Sequence, residues 1–317
     1  MGVSVTTLQL FLTAWSWYPS VIAGCVLLLL LYPAAARPLS ASHAAWYAAG
    51  VLVLFLALVS PLDALGDDYL FSAHMIQHLL LVLVAAPLLL LGISRTLAAR
   101  LLDRPWIAWL EGKLSRPPVA WLLGIGTLWV WHLPVLYNAT LASERIHITE
   151  HLSFLVTGVI FWWPVLSPLS DHRLRPGPAI IYIFSAGVAN TILGIILTFV
   201  PVGLYPHYLH PEDELGALSL IRNGWGLSAA TDQQLGGLFM WVGGGLVFLV
   251  AILGILRRWY LSQMTDNPSL GARRAQGQET TGKTSPRLRP HNEKGKRNES
   301  NRHRIDARES GQERGAP

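Results

Sequence analysis

Residues 70–92 read LFSAHMIQHLLLVLVAAPLLLLG, a run of 23 positions without a single Asp, Glu, Lys or Arg. A bilayer's hydrocarbon core needs ~20 consecutive apolar residues in a helix, so this run is predicted to be a membrane span. Its first two turns, however, carry His74 and His78. Imidazole in hydrocarbon is costly unless it is paired, which makes each such histidine a functional candidate. Four residues apart, the two rings share one helical face about one turn, or ~6 Å, from each other.

The rest of the chain extends this reading. Of 317 residues, 52% are hydrophobic and only 14% charged, and the apolar residues come in long runs, as in a polytopic membrane protein. Seven spans are expected: 18–35, 44–60, 70–92, 118–136, 149–166, 178–200 and 235–259. The fold class is therefore all-α, a seven-helix membrane bundle. No Lys or Arg occurs in the first ten residues, so a cleaved signal peptide lacks its positive segment and the first span is expected to be retained. Residues 1–260 form the membrane domain. After Tyr260 the composition turns polar and basic, which predicts a disordered cytoplasmic tail over 261–317. That tail carries the whole net charge of +5, because residues 1–260 hold 12 basic and 12 acidic side chains. It reads as a solvated tail that fixes topology, with contact to anionic membrane lipid as the sharper alternative. Nothing in this distribution makes a nucleic-acid face.

Basic residues set the orientation. The first, third and fifth loops hold Arg37, then Arg95, Arg100, Arg104, Lys113 and Arg116, then Arg173 and Arg175; the other loops hold only Arg145 and Arg222. The N-terminus is thus expected outside and the C-terminus in the cytoplasm. This topology brings His74, His78, His132, His147 and His151 to the outer leaflet of three different spans. Neutral imidazole is the commonest metal ligand, and a shared depth suggests a shared ion. Asp63, Met75, Asp232, Gln233, Gln234 and Met240 fall at comparable depth as supporting groups, and of the two histidines in the last outer loop, His207 and His210, His207 is a further supporting candidate. Imidazole with a thioether favours Cu(I); zinc comes next, and haem held by facing histidines is a further alternative. The plain alternative is that each histidine bonds a backbone carbonyl or caps a helix, and that Met75 and Met240 are simply core. Cys25, the lone cysteine, reads as packing.

His147-Ile148-Thr149-Glu150-His151 also fits the H-x-x-E-H pattern of zinc hydrolases, with Glu150 as general base. It opens a spanning helix instead of lining a soluble cleft, so a hydrolase is a minor alternative. Pro87 and Pro164 predict helix kinks. Gly236, Gly237, Gly243, Gly244 and Gly245 predict close helix approach. Asp232 is expected to cap the last span, and Asn190 and Thr191 to bond between helices.

Taken together, Ser60-Pro61-Leu62-Asp63, 71–80 with its two histidines, Trp131-His132-Leu133-Pro134, His147 with Glu150-His151-Leu152, Phe161-Trp162-Trp163-Pro164, Tyr205-Pro206-His207-Tyr208 and 232–237 resemble the Bacillus-type CtaG family. The resemblance covers roughly 15–260 and leaves out 209–224 and the tail. It implies a multi-pass protein of the bacterial plasma membrane that assists assembly of cytochrome c oxidase, handles copper, and works with oxidase subunits or other assembly factors. It singles out His74, His78, His132, His147, His151 and Asp232, with Gln233 and Gln234 beside them. A copper transporter and a haem protein remain competing expectations; enzymatic activity is not expected.

Overall fold

The computed structural model describes residues 5–266, and among these every regular element is helical. The elements that position the site are α1 (Thr7–Thr13), α2 (Pro19–Ala35), α3 (Ala41–Val59), α4 (Pro61–Asp68) and α5 (Phe71–Leu91). Then come α6 (Arg95–Leu102), α7 (Pro105–Leu114), α8 (Pro117–Trp131), α9 (Pro134–Ala142), α10 (Glu144–Leu166), α11 (Pro176–Phe199) and α12 (Ala229–Met264). Five of them, α3, α5, α10, α11 and α12, are long and apolar enough to cross a membrane.

Two of the seven expected spans take other forms. Residues 118–136 break into α8 and α9, bent by 71° to each other. Pro134 drives Leu133 into an extended conformation (φ −65°, ψ 130°), which no helix continues through. The first expected span is the apolar helix α2 of 17 residues, shorter than the other five. The tail expected over 261–317 lies, from residue 267 on, outside the described residues.

Helix α5 is the hub, packing against α3, α4, α10 and α12, while α8 packs on α10 and α11 on α12. Its C-terminal half joins a core with Leu83, Ala86, Leu90, Phe161, Trp162, Ile183 and Phe248. Its N-terminal half joins a second core with Phe71, Met75, Leu128, Tyr137, Phe154, Tyr205 and Met240. Between the halves, 80–85 form a π segment in which the Ala86 N–H reaches back to Leu81 O. Because residue 87 is proline and has no N–H, the Val82 carbonyl would be left unpaired; the Trp162 indole donates to it at 2.9 Å. A second π segment, 239–243, lies in α12, where Asn190 Nδ2 donates to Met240 O at 2.6 Å.

Gly66 illustrates why close approach matters here. A Cβ at that position would stand 3.0 Å from the backbone nitrogen of His74, so a side chain would force α4 away from the first turn of α5. The glycines of α12 divide: Gly236, Gly237 and Gly244 face neighbouring atoms closely, whereas Gly245 faces none. Over the same end of the bundle, α1, α4 and 215–227 share a third core built on Leu10, Leu65, Tyr69 and Ile221. The stretch 209–224 is therefore packed structure, tied down by Arg222, whose guanidinium donates to Tyr208 O and Leu227 O.

Candidate metal centre

The five histidines meet. His74 and His78, on the first turns of α5, have ring centroids 4.2 Å apart, as do His147 and His151 on the first turns of α10. Across the two helices, His74 lies 5.4 Å from His147 and 5.9 Å from His151. His132, at the bend after α8, has its ring 5.8 Å from that of His78. The i, i+4 spacing is responsible for each pair, and the α5–α10 contact brings the pairs together.

Two carboxylates adjoin the histidines: Glu150, expected only as the base of the hydrolase alternative, and Asp67, which was not expected at all. Glu150, wholly buried, has one oxygen 3.7 Å from His74 Nε2 and the other 3.6 Å from His78 Nε2. Asp67 Oδ1, at the end of α4, is 3.4 Å from His147 Nε2 and 3.7 Å from His74 Nδ1. Ligand atoms from His74, His147, Glu150 and His151 all lie within 4.8 Å of one another. None of these contacts is short enough to be a hydrogen bond. Both nitrogens of His74 and of His78, both oxygens of Glu150, His147 Nε2, His151 Nε2 and Asp67 Oδ1 are buried without a hydrogen-bond partner. Buried polar atoms are ordinarily paired, and an imidazole and carboxylate cluster left unpaired in this way has the chemistry to hold a cation.

The other expected residues support the centre or stand away from it. Asp232 does not cap its own helix; Ser228 does that, accepting from Thr231 N at 3.1 Å. Asp232 instead caps α5 from across the bundle, accepting from Phe71 N (2.7 Å), Ser72 N (3.1 Å) and Ser72 Oγ (2.5 Å). It thereby fixes the helix start one turn before His74. Gln233 Nε2 donates to Val200 O at 2.9 Å and so satisfies the end of α11, while Gln234 and His210 are exposed. His207 pairs with Asp67 O at 2.9 Å and so steadies the backbone of a centre carboxylate. Met240 is buried in the same core as Phe71 and Met75. Tyr137, Tyr205 and Tyr208 roof the centre: Tyr205 donates to His132 O at 2.8 Å and Tyr208 to Gly66 O at 2.8 Å. Burial pushes Tyr205 and Tyr208 above the ordinary tyrosine range, so they act as neutral donors.

Asp63 sits beside the centre on α4, its Oδ1 accepting from Gln77 Nε2 at 2.7 Å, and Gln77 also donates to Ala57 O. Burial, reinforced by the neighbouring Asp67, pushes the Asp63 carboxyl up to about 7. The sign follows from linkage. A folded-state value above the unfolded one means that the group's stabilising contribution is full below pH ~4 and is lost as pH rises through ~7. The thermal midpoint of the metal-free protein should therefore fall between pH 5 and 8. Asp63→Asn, which keeps an acceptor for Gln77, should flatten that fall and add on the order of 2 kcal/mol at pH 8. Parallel melting profiles of the two proteins check this.

The family model described as cytochrome c oxidase caa3 assembly factor matches residues 25–262. An uncharacterised protein of Mycobacterium leprae is 24% identical over 206 residues, covering 60% of this chain and 30% of its own length. Uncharacterised proteins of Mycobacterium bovis and Mycobacterium tuberculosis are each 25% identical over 278 residues, 80% of this chain and 40% of theirs. The chain thus spans less than half the length of these curated relatives. No solved structure matches it.

Proposed function

The chain belongs to the cytochrome c oxidase caa3 assembly factor family, and on that premise we propose that it holds copper at the His74, His147, Glu150 and His151 centre and passes it to the oxidase during assembly. The carrying observation is the set of buried, unpartnered nitrogen and oxygen atoms converging from α4, α5 and α10. Three imidazoles with a carboxylate suit copper, with zinc as the next metal.

A cavity of 120 Å³ adjoins the centre and is lined on its polar side by Asp63, Asp67, Glu144, His147 and His151. It is smaller than the ~300 Å³ at which pockets for organic ligands begin, which favours a bare ion over haem. It also gives the ion an acidic approach. In this reading the chain crosses the bacterial plasma membrane seven times with its N-terminus outside, α2 and the bent α8–α9 pair counting as crossings. The centre then lies in the outer leaflet, the depth at which an oxidase in the same membrane would receive copper. Its partners are oxidase subunits or other assembly factors, and its job is delivery without catalysis.

The H-x-x-E-H stretch has a different use in this reading. Glu150 faces two imidazoles of α5 at 3.6–3.7 Å, the position of a ligand and not of a base turned toward a substrate.

The test is copper analysis of the full-length protein from membranes, together with the copper content of oxidase from the same cells. His151→Ala is expected to release the centre's ion and to leave the oxidase short of copper. Unchanged copper in both would overturn the proposal.

A further inference from the structure

His132 and Met75 meet in a way that hydrogen bonding cannot explain. His132 Nδ1 lies 2.6 Å from Leu128 O, a carbonyl that can only accept, so Nδ1 carries the ring proton. Nε2 of the neutral ring is then a bare lone pair, and it points at the Met75 sulfur, 3.2 Å away. A thioether has no proton to give. Two acceptors thus face each other at contact distance in a fully enclosed position, Met75 being 0% and His132 4% exposed.

The third member of this group is His78. Its Nε2 is 3.6 Å from Glu150, its Nδ1 is buried without a partner, and its ring stands edge-on to that of His132. Met75 and His78 line the same 20 Å³ cavity with Met240, Asn190 and Phe161. That volume holds about one small particle, since a single water needs ~10–15 Å³.

We propose that Met75, His132 and His78 form a second cation station, distinct from the carboxylate-bearing centre and selective for a soft monovalent ion, Cu(I). The choice of ion rests on the sulfur: thioether selects Cu(I), whereas the carboxylate at the first centre is a hard ligand that serves zinc and Cu(II) as well. His78 stands between the two, 4.2 Å from the His74 ring and 5.8 Å from the His132 ring. An ion leaving Glu150 for Met75 therefore stays within reach of an imidazole throughout. The arrangement orders the two positions by softness, and the inner one keeps copper in its reduced state. The inference rests on the copper-handling reading above.

The experiment uses the full-length protein in detergent, loaded anaerobically with Cu(I) against a competing chelator, with X-ray absorption at the copper edge. The wild type is expected to bind two equivalents and to show a sulfur scatterer. Met75→Leu conserves volume and is expected to keep the fold, to bind one equivalent and to lose the sulfur signal, while zinc stoichiometry stays at one in both. A wild-type spectrum with nitrogen and oxygen scatterers alone, or equal copper stoichiometry in Met75→Leu, overturns the second station. If that single equivalent disappears in His151→Ala, the first centre stands without the second; if the wild type binds no copper, both readings fall.

Discussion

Replacing Glu150 with glutamine is expected to weaken metal binding by about 100-fold or more, since even groups that only support a ligand contribute 10–100-fold. The side chain keeps its size but loses the anionic oxygens that face His74 and His78. The thermal readout is direct. An ion that binds only the folded state stabilises it by RT ln(1 + [L]/Kd), so a 100-fold loss removes about 2.7 kcal/mol at saturating metal. Melting curves of Glu150→Gln and wild type with and without copper check this. The metal-induced gain should largely vanish in the variant. An undiminished gain would remove Glu150 from the centre.

Asp232→Ala is expected to have the largest effect on the protein without metal. Its carboxylate is the acceptor for two backbone N–H groups and one hydroxyl at the start of α5, all of them buried. Loss of a helix cap costs ~0.5–2 kcal/mol, and stranding buried donors costs ~1–3 kcal/mol more, so a total of about 3 kcal/mol is expected. Asp232→Asn retains one acceptor and should recover about half of that. Because the first turn of α5 frays when its cap is lost, copper affinity should fall along with stability even though Asp232 touches none of the five histidines' orphaned atoms. Thermal melts and copper titration of both variants separate this from a purely local defect, in which affinity would be unchanged.

The sequence made the histidine cluster legible because each pair follows a helical repeat and because loop charge sorted all five to one end. Glu150 was visible only as part of a hydrolase pattern. Its ligand geometry depends on α10 meeting α5, a contact between segments far apart in the chain. Asp67 was not singled out, and nothing local distinguishes it from the adjacent Asp68. The cap made by Asp232 is likewise a relation across 160 residues, so local reasoning assigned it to its own helix. The α8–α9 break did have a signal, Pro134 after Leu133, but the apolar run around it read as one span. Met75 was legible as a thioether at the depth of the histidines, but its pairing with His132 in particular joins residues 57 apart in the chain and has no local signature.

The wide turn at 80–85 carries one residue more than an ordinary turn would, so the two halves of α5 are phased independently. Removing any single residue there would close the turn while preserving a continuous hydrogen-bonded rod. It would also swing the whole histidine-bearing half about 100° around the axis relative to the C-terminal half. Chain length in this short window is thus an aiming device: substitutions within it alter packing, but a one-residue deletion would turn His74 and His78 away from Glu150 without touching any of the three.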